Sequence, residues 1–547
     1  MTSGAQGRLD SIELRVGLIA GLLALAWAIV TLDPLGPATI DPDASSSVLY
    51  FQRILSGLRL EAFVPTTPKP LLTVVYGLSW TVGHDWRWLA WETILVFGVA
   101  CGAAAALVAR LLGRLADATP PGGGSMRGAL GSAAAGAAFT TGALLGSSDL
   151  LLEVSRANSL VWALAFWLAA GLAATARPVR PWLAGLALML AGLCRLETLA
   201  LDVLAAGLVA AVVVRERRPG GSRAIPTGMA GAVLVALAAA PLALLHDFAL
   251  TGDPLWFTTV EARYTAIFNP DLRPMGLLDY VAVFGAREGP KLPLVALGAV
   301  GIVALLRGGE RLAAAGLLAI GGGVMGLLFL LASRGWYISN RYYEPLDLAL
   351  FLAAAVGAGW IAGRVLERMS GAFQPGGRPV LVAGGSQVGG PLRGLAAMAL
   401  AGVAAVVLAW PALPWDRRAG VELADVRRSS AHLALVRPNL ERALTPGGQS
   451  GSGAAAASQL LVPSRDVSRL SVEFGERLDR ILNSYAVLRN EGVAGLRSGQ
   501  VVFHDAAADR PVALYRSLEI ADQTPVDGRI LVRLEPRVPE LWLLVVR

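Results

Sequence analysis

The sequence predicts an all-α polytopic membrane protein that ends in an extracytoplasmic α/β domain. Of its 547 residues, 55% are hydrophobic and only 16% are charged, whereas a soluble domain carries about a quarter charged residues. Charged residues occupy 34 of the last 136 positions but only 53 of the first 411. We therefore expect a transmembrane module over residues 1–411 and a soluble domain over residues 412–547, which excludes an ordinary water-soluble enzyme.

About eleven segments approach the roughly 20 apolar residues that a membrane-spanning helix needs. They are residues 14–32, 88–112, 128–146, 158–176, 182–194, 198–214, 226–246, 292–306, 312–332, 345–363 and 394–411. The fifth and eighth are short, so we expect them to be tilted or bent. A further apolar stretch, 70–82, is too short to cross and contains Trp and Tyr, which favours an interfacial helix.

Arginine placement predicts the orientation. With a cytoplasmic N-terminus, every inner loop carries at least two arginines, as the positive-inside rule requires. These loops are residues 110–127, 177–181, 215–223, 307–311 and 364–393. The net charge of +7 then reflects membrane topology, and nucleic acid is not an expected partner. The first outer loop, 33–87, and the C-terminal domain lie on the extracytoplasmic side of a cytoplasmic or inner membrane.

The C-terminal domain shows mixed helical and strand patterns. We expect helices at 421–443 and 466–485, a loop at 446–457, and strands at QLLVP (459–463), QVVFHD, GRILVRL and LWLLVV.

The first outer loop carries two closely spaced carboxylates, Asp41 and Asp43, before a predicted amphipathic helix at about 45–56. Such a pair suits a general base, a metal ligand or both. The Asp-Pro-Asp pattern also suits a turn that caps the helix, and for the motif alone that structural interpretation is favoured. A divalent metal at Asp41 and Asp43 is left open, and no other cofactor is indicated.

Lys69, one of only two lysines in the chain, follows Pro68 at the start of the predicted interfacial helix. Its ammonium group suits a phosphate at the membrane surface. The alternative is that Lys69 is a snorkelling side chain that anchors the helix. For a lysine considered alone, this second interpretation is favoured.

Arg195, Glu197 and Asp202 interrupt an apolar run that otherwise continues from 182 to 214. Ionisable groups at such depth are costly and indicate function by default. An ion pair that merely closes a helical hairpin is an equally good interpretation.

Arginine and tyrosine recur together in the later outer loops, at Arg341 with Tyr342 and at Arg263 with Tyr264. A guanidinium fork beside phenols suits a phosphate or pyrophosphate head group. An aromatic and basic belt that anchors the helices is the alternative. The outer turn 147–157 adds three more charged residues, Asp149, Glu153 and Arg156.

The order of these motifs resembles the GT-C superfamily of membrane glycosyltransferases, and most closely the branch of the protein O-mannosyltransferases and lipid A aminoarabinose transferases. Asp41–Asp43 matches the acidic motif of that family in position, and Lys69 with the following Pro-Leu resembles its Lys-Pro element. Arg-Leu-Glu at 195–197 resembles an Arg-Pro-Glu motif, with Leu in place of Pro, and Arg-Tyr at 341–342 resembles an Arg-Tyr before a late span. The resemblance covers residues 1–411.

The resemblance implies a GT-C-like bundle that takes a sugar from a polyprenyl-phosphate donor and transfers it to a glycan, lipid or protein acceptor outside the membrane. Asp43 begins the helix as the family's base does, so it is the expected general base. Whether Asp41 takes part in proton removal is left open. Lys69, Arg195 and Arg341 would stabilise the leaving phosphate, and Glu197 would hold Arg195.

Two other classes remain open at this point. A transporter or flippase for a lipid-linked or anionic substrate would also bury charges in a helical bundle. A non-catalytic membrane assembly subunit would use Asp41 and Asp43 as a helix cap only. Convergence of Asp43, Lys69, Arg195 and Arg341 in one place would favour the enzyme, and scatter among them would favour the other two.

Overall fold

The structure is a computed structural model, and it describes most of the membrane module and part of the C-terminal segment. The described residues are 3–35, 40–60, 64, 66–118, 126–177, 179–195, 199, 207, 224–268, 272–336, 338, 340–372, 417–444, 459–463, 466–475, 480–484, 487, 496–497, 499–505, 523–526, 529–533 and 541–546.

Helices dominate the described part of residues 1–372. They are α1 Ser3–Leu32, α2 Pro42–Leu55, α3 Pro70–Gly83, α4 Arg87–Asp117, α5 Met126–Gly146, α6 Ser148–Ser155, α7 Ser159–Ala174, α8 Pro181–Cys194, α9 Ala224–Leu237, α10 Ala239–Thr251, α11 Trp256–Phe268, α12 Leu277–Glu288, α13 Leu292–Arg307, α14 Arg311–Ser333 and α15 Glu344–Ala372. Two 3-10 turns, Gly289–Lys291 and Asn340–Tyr343, precede α13 and α15.

Six helical stretches in the described residues are long and apolar enough to cross a membrane. They are Ile12–Leu32, Arg87–Asp117, Ala129–Gly146, Gly231–Thr251, Arg311–Ser333 and Arg341–Glu367. Two bent pairs raise the number to eight if each is one span: α6 with α7, bent by 112°, and α12 with α13, bent by 97°. Many large apolar side chains on these helices are exposed, such as Leu14 and Leu318, as expected for surfaces that face lipid. The chain is therefore a helical integral membrane protein.

The predicted spans correspond to these helices in part. The short segments 70–82 and 182–194 form α3 and α8, which have 14 residues each. The segment 158–176 forms α7, the second arm of a bent pair. The predicted spans 198–214, apart from two residues, and 394–411 lie outside the described residues, as does Glu197, so the total of eleven stays a prediction.

Close contact between α1 and α4 depends on small residues. Gly17 and Gly21 on α1 face Gly98 and Gly102 on α4, four residues apart in each helix. A Cβ atom on Gly102 would lie 2.7 Å from the carbonyl oxygen of Gly17, and one on Gly17 would lie 2.9 Å from that of Gly102. Such small-residue stripes let two membrane helices approach until their backbones touch.

Helix α4 connects two charged ends of the bundle. It begins beside the first outer loop, and near its other end Arg110 and Arg114 form ion pairs with Glu13 at 2.8 Å and with Glu310 at 3.0 Å. Residues 110–114 and 307–311, which belong to loops predicted to be cytoplasmic, thus lie at the end of α4 away from Asp43, while the orientation in a membrane stays a prediction.

The C-terminal segment contains helices and a six-stranded mixed sheet. The elements are α16 Arg417–Leu444, β1 Leu460–Val462, α17 Val467–Phe474, β2 Ile481–Asn483, β3 Val501–Asp505, β4 Gln523–Val526, β5 Arg529–Arg533 and β6 Leu541–Val546. The strand order is β2-β1-β3-β6-β5-β4; β1 pairs in parallel with β2 and β3, and the other pairs are antiparallel.

One expectation for this segment is wrong, and two of its strands were not predicted. The helix predicted over 466–485 ends at Phe474, because Gly475 takes a left-handed φ of 63° and caps it. The rest of that segment includes β2, whose three residues pair with β1. Strand β4 was also missed. The predicted loop 446–457 lies outside the described residues.

The first outer loop and the C-terminal segment share one hydrophobic cluster. Leu49 on α2 and Leu72 on α3 belong to it together with Leu470 on α17 and Val501 on β3. A hydrogen bond of 2.9 Å between the hydroxyls of Ser46 and Ser468 adds a polar contact. This packing fixes α2, and with it Asp43, between the membrane helices and the sheet.

Candidate active site

Asp41 and Asp43 occupy the first turn of α2. Asp41 is the N-cap, since its Oδ1 accepts a hydrogen bond of 2.8 Å from the backbone N–H of Asp43, and Pro42 follows at the first helical position. The cap interpretation of the motif therefore holds for Asp41. Asp41 and Asp43 are nevertheless buried, with 8% and 4% of the residue exposed. A residue that only caps a helix does not need to be buried.

Two cations meet one oxygen of Asp43. The Nζ of Lys69 and the Nη1 of Arg341 each lie 3.1 Å from Asp43 Oδ2. Lys69 is 2% exposed and also donates to the carbonyl oxygen of Thr67 at 3.0 Å, so it is not a snorkelling side chain. The side chain of Arg341 keeps 25% of its surface exposed.

Arg195 joins this cluster through Asn158. Helix α8 ends at Cys194, and Arg195 takes an extended conformation with φ −149° and ψ 113°, as the predicted break at 195–197 requires. Its Nη1 donates to Asn158 Oδ1 at 3.3 Å, and Asn158 Nδ2 donates to Asp43 Oδ2 at 3.4 Å. The ring of Tyr342 lies 5.5 Å from the guanidinium carbon of Arg195 and 5.9 Å from that of Arg341.

The bend between α6 and α7 brings two more charges to the same place. The backbone N–H of Asp41 donates to the carbonyl oxygen of Arg156 at 2.9 Å, and Arg156 interacts electrostatically with Asp41 and Glu153. Glu153 is 7% exposed, and its Oε2 has no hydrogen-bond partner among the described residues. Asn158 caps α7 by accepting from Leu160 N–H at 2.9 Å, so the bend itself positions Asn158.

We call this set of residues, Asp41, Asp43, Lys69, Glu153, Arg156, Asn158, Arg195, Arg341 and Tyr342, the Asp43 cluster. Its four cations exceed its three carboxylates, and they come from separate parts of the chain. Such a surplus of cations around buried carboxylates suits an anionic ligand.

The two aspartates have different proton affinities. Burial and the neighbouring charge of Asp43 raise the pKa of Asp41 above its ordinary value. Burial also acts to raise the pKa of Asp43, but Arg341, Lys69 and Arg195 outweigh it and hold that pKa below its ordinary value. Asp43 is therefore a carboxylate at neutral pH, and its basicity depends on whether the cations remain on it.

The cluster does not fit a divalent metal. No group of three or more His, Cys, Asp or Glu side chains suited to a metal exists among the described residues. In addition, two positively charged groups lie 3.1 Å from the Asp43 oxygen that a metal would use. The metal that the sequence left open at Asp41 and Asp43 is not supported by this donor set.

Arg263 and Tyr264 lie on α11. Arg263 is exposed, with its guanidinium carbon 5.7 Å from the centre of the Trp256 ring on the same helix. Tyr264 is half-buried. A role for these two residues in substrate binding stays a prediction.

Sequence reasoning missed Asn158 and a second charged group beside the Asp43 cluster. Asn158 precedes an apolar run, which is an N-cap signal that could have been recognised. The second group contains the other lysine, Lys291, which forms an ion pair with Asp347. Arg287 lies 3.5 Å from the same carboxylate, with its guanidinium carbon 3.9 Å from the centre of the Tyr343 ring.

An apolar groove lies among α4, α7, α8, α14 and α15. Its lining extends from Pro345, four residues after Arg341, to Thr175 and Leu312, at the end of the bundle where Arg110 and Arg114 form their ion pairs. Its walls are almost entirely Leu, Ile, Ala and Trp side chains, which suits a hydrocarbon chain.

The fold and the cluster define a class of protein: a helical membrane protein with a buried, cation-rich acid site at one end of its bundle. No protein-family model matches the sequence, and no curated protein matches it.

Proposed function

We propose that this chain is a GT-C-type membrane glycosyltransferase, with about eleven spans, a cytoplasmic N-terminus and an extracytoplasmic C-terminal α/β domain. It would transfer a sugar from a polyprenyl-phosphate donor to a glycan, lipid or protein acceptor outside the membrane. The observation that carries this proposal is the convergence of Lys69, Arg341 and Arg195 on the buried carboxylate of Asp43.

The cations are the proposed phosphate site. The donor phosphate is a diester with one negative charge, and it needs charged hydrogen-bond donors, which Lys69 and Arg341 supply. Arg341 is the more exposed of the two, so the phosphate would contact it first. The polyprenyl chain would follow the apolar groove that starts at Pro345, where it meets the same kind of surface as it does in lipid.

Asp43 is the proposed general base. Its oxygen is covered by two cations before a donor binds, and this keeps it a weak base. A bound phosphate would compete for Lys69 and Arg341, which would reduce their stabilisation of the carboxylate and raise its affinity for a proton. Base strength would thus appear only when the donor is in place.

The reaction then balances as a single displacement. The acceptor O–H gives its proton to Asp43 while the acceptor oxygen forms a bond to the anomeric carbon. The bond between that carbon and the phosphate oxygen breaks, and the polyprenyl phosphate leaves with the electron pair. Lys69, Arg341 and Arg195 stabilise the charge that grows on the leaving phosphate, and Asp43 later returns its proton to water.

A transfer assay with matched variants tests the proposal. The purified chain in nanodiscs is given a panel of polyprenyl-phosphate sugars with candidate acceptors, and release of the free polyprenyl phosphate is measured. Asp43→Asn should lower the rate by about 10² to 10⁴, the usual contribution of a general base. Asp347→Asn is the control, because Asp347 is a buried aspartate that also contacts one lysine and one arginine.

The control should retain most of the activity. Equal losses in the two variants, or no transfer from any donor, would contradict the proposal. Movement of intact donor across the membrane without cleavage would instead favour a flippase.

A further inference from the structure

A second candidate binding site lies between the first outer loop and the C-terminal segment. It is a cleft of about 770 Å³, within the range of about 300 to 1,000 Å³ typical of ligand pockets. Its walls include Gln52 on α2, the loop with His84 and Asp85, Arg87 at the start of α4, and Arg437 on α16. Ligand sites are frequent at interfaces between domains, and this cleft lies where two distant segments of the chain meet.

The back of the cleft is held rigidly. Trp86 Nε1 donates to Glu473 on α17 at 2.6 Å, and Glu473 also contacts Arg469 at 3.0 Å and Arg437 at 3.2 Å. The Trp80 and Trp86 ring centres are 4.2 Å apart. Because these groups already fix one another, ordering them around a ligand would cost little entropy.

The cleft contains similar numbers of positively charged hydrogen-bond donors and negatively charged acceptors. Among the described lining residues, three arginines accompany two carboxylates, Asp85 and Glu473. The Arg87–Asp85 pair lies at the rim, with side chains 51% and 33% exposed. Each hydroxyl of a neutral ligand both donates and accepts hydrogen bonds, so it can bond to an arginine and a carboxylate together. A phosphate needs donors only, and the carboxylates of the cleft would repel it.

His84 has a backbone conformation that its residue type rarely adopts. Its φ of 47° and ψ of 29° are left-handed, and it ends α3 by donating its backbone N–H to the carbonyl oxygen of Trp80 at 2.8 Å. Glycine would take this conformation without cost, yet the position carries an imidazole in the wall of a cleft. A strained residue at a cleft is a reason to look for a function there.

The cleft and the Asp43 cluster lie at opposite ends of the same two helices. From Asp43 to Gln52 along α2 is about 14 Å, and from Lys69 to Trp80 along α3 about 16 Å, at 1.5 Å per residue. An oligosaccharide of a few residues covers such a distance.

We propose that this cleft binds a saccharide through its hydroxyl groups, with His84, Arg87 and Asp85 as contact residues. That the saccharide is the acceptor, held with one end toward Asp43, rests on the proposed transferase function. Saccharide binding itself does not.

Saturation-transfer NMR on the full chain in nanodiscs tests the binding. The probes are soluble tetrasaccharides of mannose, arabinose and N-acetylglucosamine, and an unglycosylated hexapeptide. We expect at least one saccharide to bind, and its Kd to rise at least fivefold in Arg87→Ala and in His84→Gly. Both variants should fold, because Arg87 is exposed and glycine suits the His84 backbone.

Arg428→Ala is the matched control, since Arg428 is an arginine on α16 with 49% side-chain exposure that pairs with Asp425. It should bind the saccharide as the unmodified chain does. No saccharide binding, equal binding by the two cleft variants and the unmodified chain, or binding of the peptide alone would overturn the inference.

A further comparison separates this inference from the proposed function. Asp43→Asn should bind the saccharide normally while failing to transfer. If the cleft binds saccharide but the chain transfers no sugar, the saccharide site is supported and the transferase function is rejected. If the chain transfers sugar and Arg87→Ala leaves the acceptor KM unchanged, the acceptor role of the cleft is rejected.

Discussion

The Nη1 atom of Arg341 lies 3.1 Å from Oδ2 of Asp43, although the two residues are 298 positions apart in the chain. Asp43 starts a helix of the first outer loop, and Arg341 immediately precedes a long apolar helix. Lys69 contacts the same oxygen. In the proposed reaction, the base Asp43 is therefore paired with the two cations that would bind the phosphate, until the donor arrives.

Replacement of Asp43 by asparagine should strengthen phosphate binding while it abolishes transfer. Asp43→Asn removes the anion that competes with phosphate for Lys69 and Arg341. Like charges a few ångströms apart repel by about 1 kcal/mol or more near a protein surface, so we expect the Kd of polyprenyl phosphate to fall by about fivefold or more. Calorimetric titration in nanodiscs measures this, and weaker binding by the variant would show that the cations do not bind the phosphate.

Replacement of Asp41 should separate its charge from its role as a cap. Because its folded pKa is raised above the unfolded value of about 3.9, ionisation of Asp41 costs stability as the pH rises through that window. Asp41→Asn keeps the cap and removes the charge. Its unfolding temperature should match that of the unmodified chain at pH 4 and exceed it at pH 7.

Asp41→Ala is the companion variant, since it removes the charge and the cap together. It should lose about 1 kcal/mol relative to Asp41→Asn. Ionisation of Asp43 has the opposite effect on stability. Because its pKa is lowered in the folded chain, the ionised group contributes stability above about pH 4, and this contribution is lost as the pH falls. An Asp41→Asn variant that is less stable at pH 7 than at pH 4, relative to the unmodified chain, would reject the raised pKa of Asp41.

Asn158 is expected to be a positioning residue. Asn158→Asp retains a good cap for α7 but replaces the Nδ2 donor to Asp43 by a carboxylate oxygen. The new charge would draw Arg195 and Arg341 toward itself, so transfer should fall at least tenfold while the unfolding temperature changes little. The acceptor KM should stay constant, and a rise in that KM with constant kcat would place Asn158 in acceptor binding instead.

The contact between α1 and α4 predicts a stability defect at Gly102. Gly102→Val places side-chain atoms where Gly17 backbone already lies, and overpacking of this kind costs about 1 to 3 kcal/mol. Gly326→Ala on α14 is the control, because a Cβ atom at that position would meet none of the described residues within 4 Å. Thermal unfolding in detergent should show a loss for the first variant only, and an equal loss in both would mean that α1 and α4 are not in close contact.

The membrane class was predictable because it depends on composition and on long apolar runs, which are local properties. Strands β1, β3, β5 and β6 were found for the same reason. Strand β2 was missed because its three residues become a strand only by pairing with β1. Gly475, which ends α17, was a signal in the sequence that the longer helical pattern concealed.

The charged members of the candidate site were predictable, but Asn158 and the connections among the residues were not. Asp43, Lys69, Arg195 and Arg341 could be recognised because each is an ionisable group in or beside apolar sequence. That all four meet could not be derived, since their contacts depend on the bend at Asn158 and on packing between distant helices. The sharing of Asp43 Oδ2 by two cations is a tertiary property with no local pattern.

The proposed phosphate site is tested most directly by an electron cryomicroscopy structure of the Asp43→Asn variant with polyprenyl-phosphate sugar. We predict the phosphate oxygens at about 3 Å, the distance of a charge-assisted hydrogen bond, from Lys69 Nζ and Arg341 Nη1, with the lipid chain in the groove below Pro345. A phosphate bound instead by Lys291 and Arg287, or among the arginines at the opposite end of α4, would contradict it.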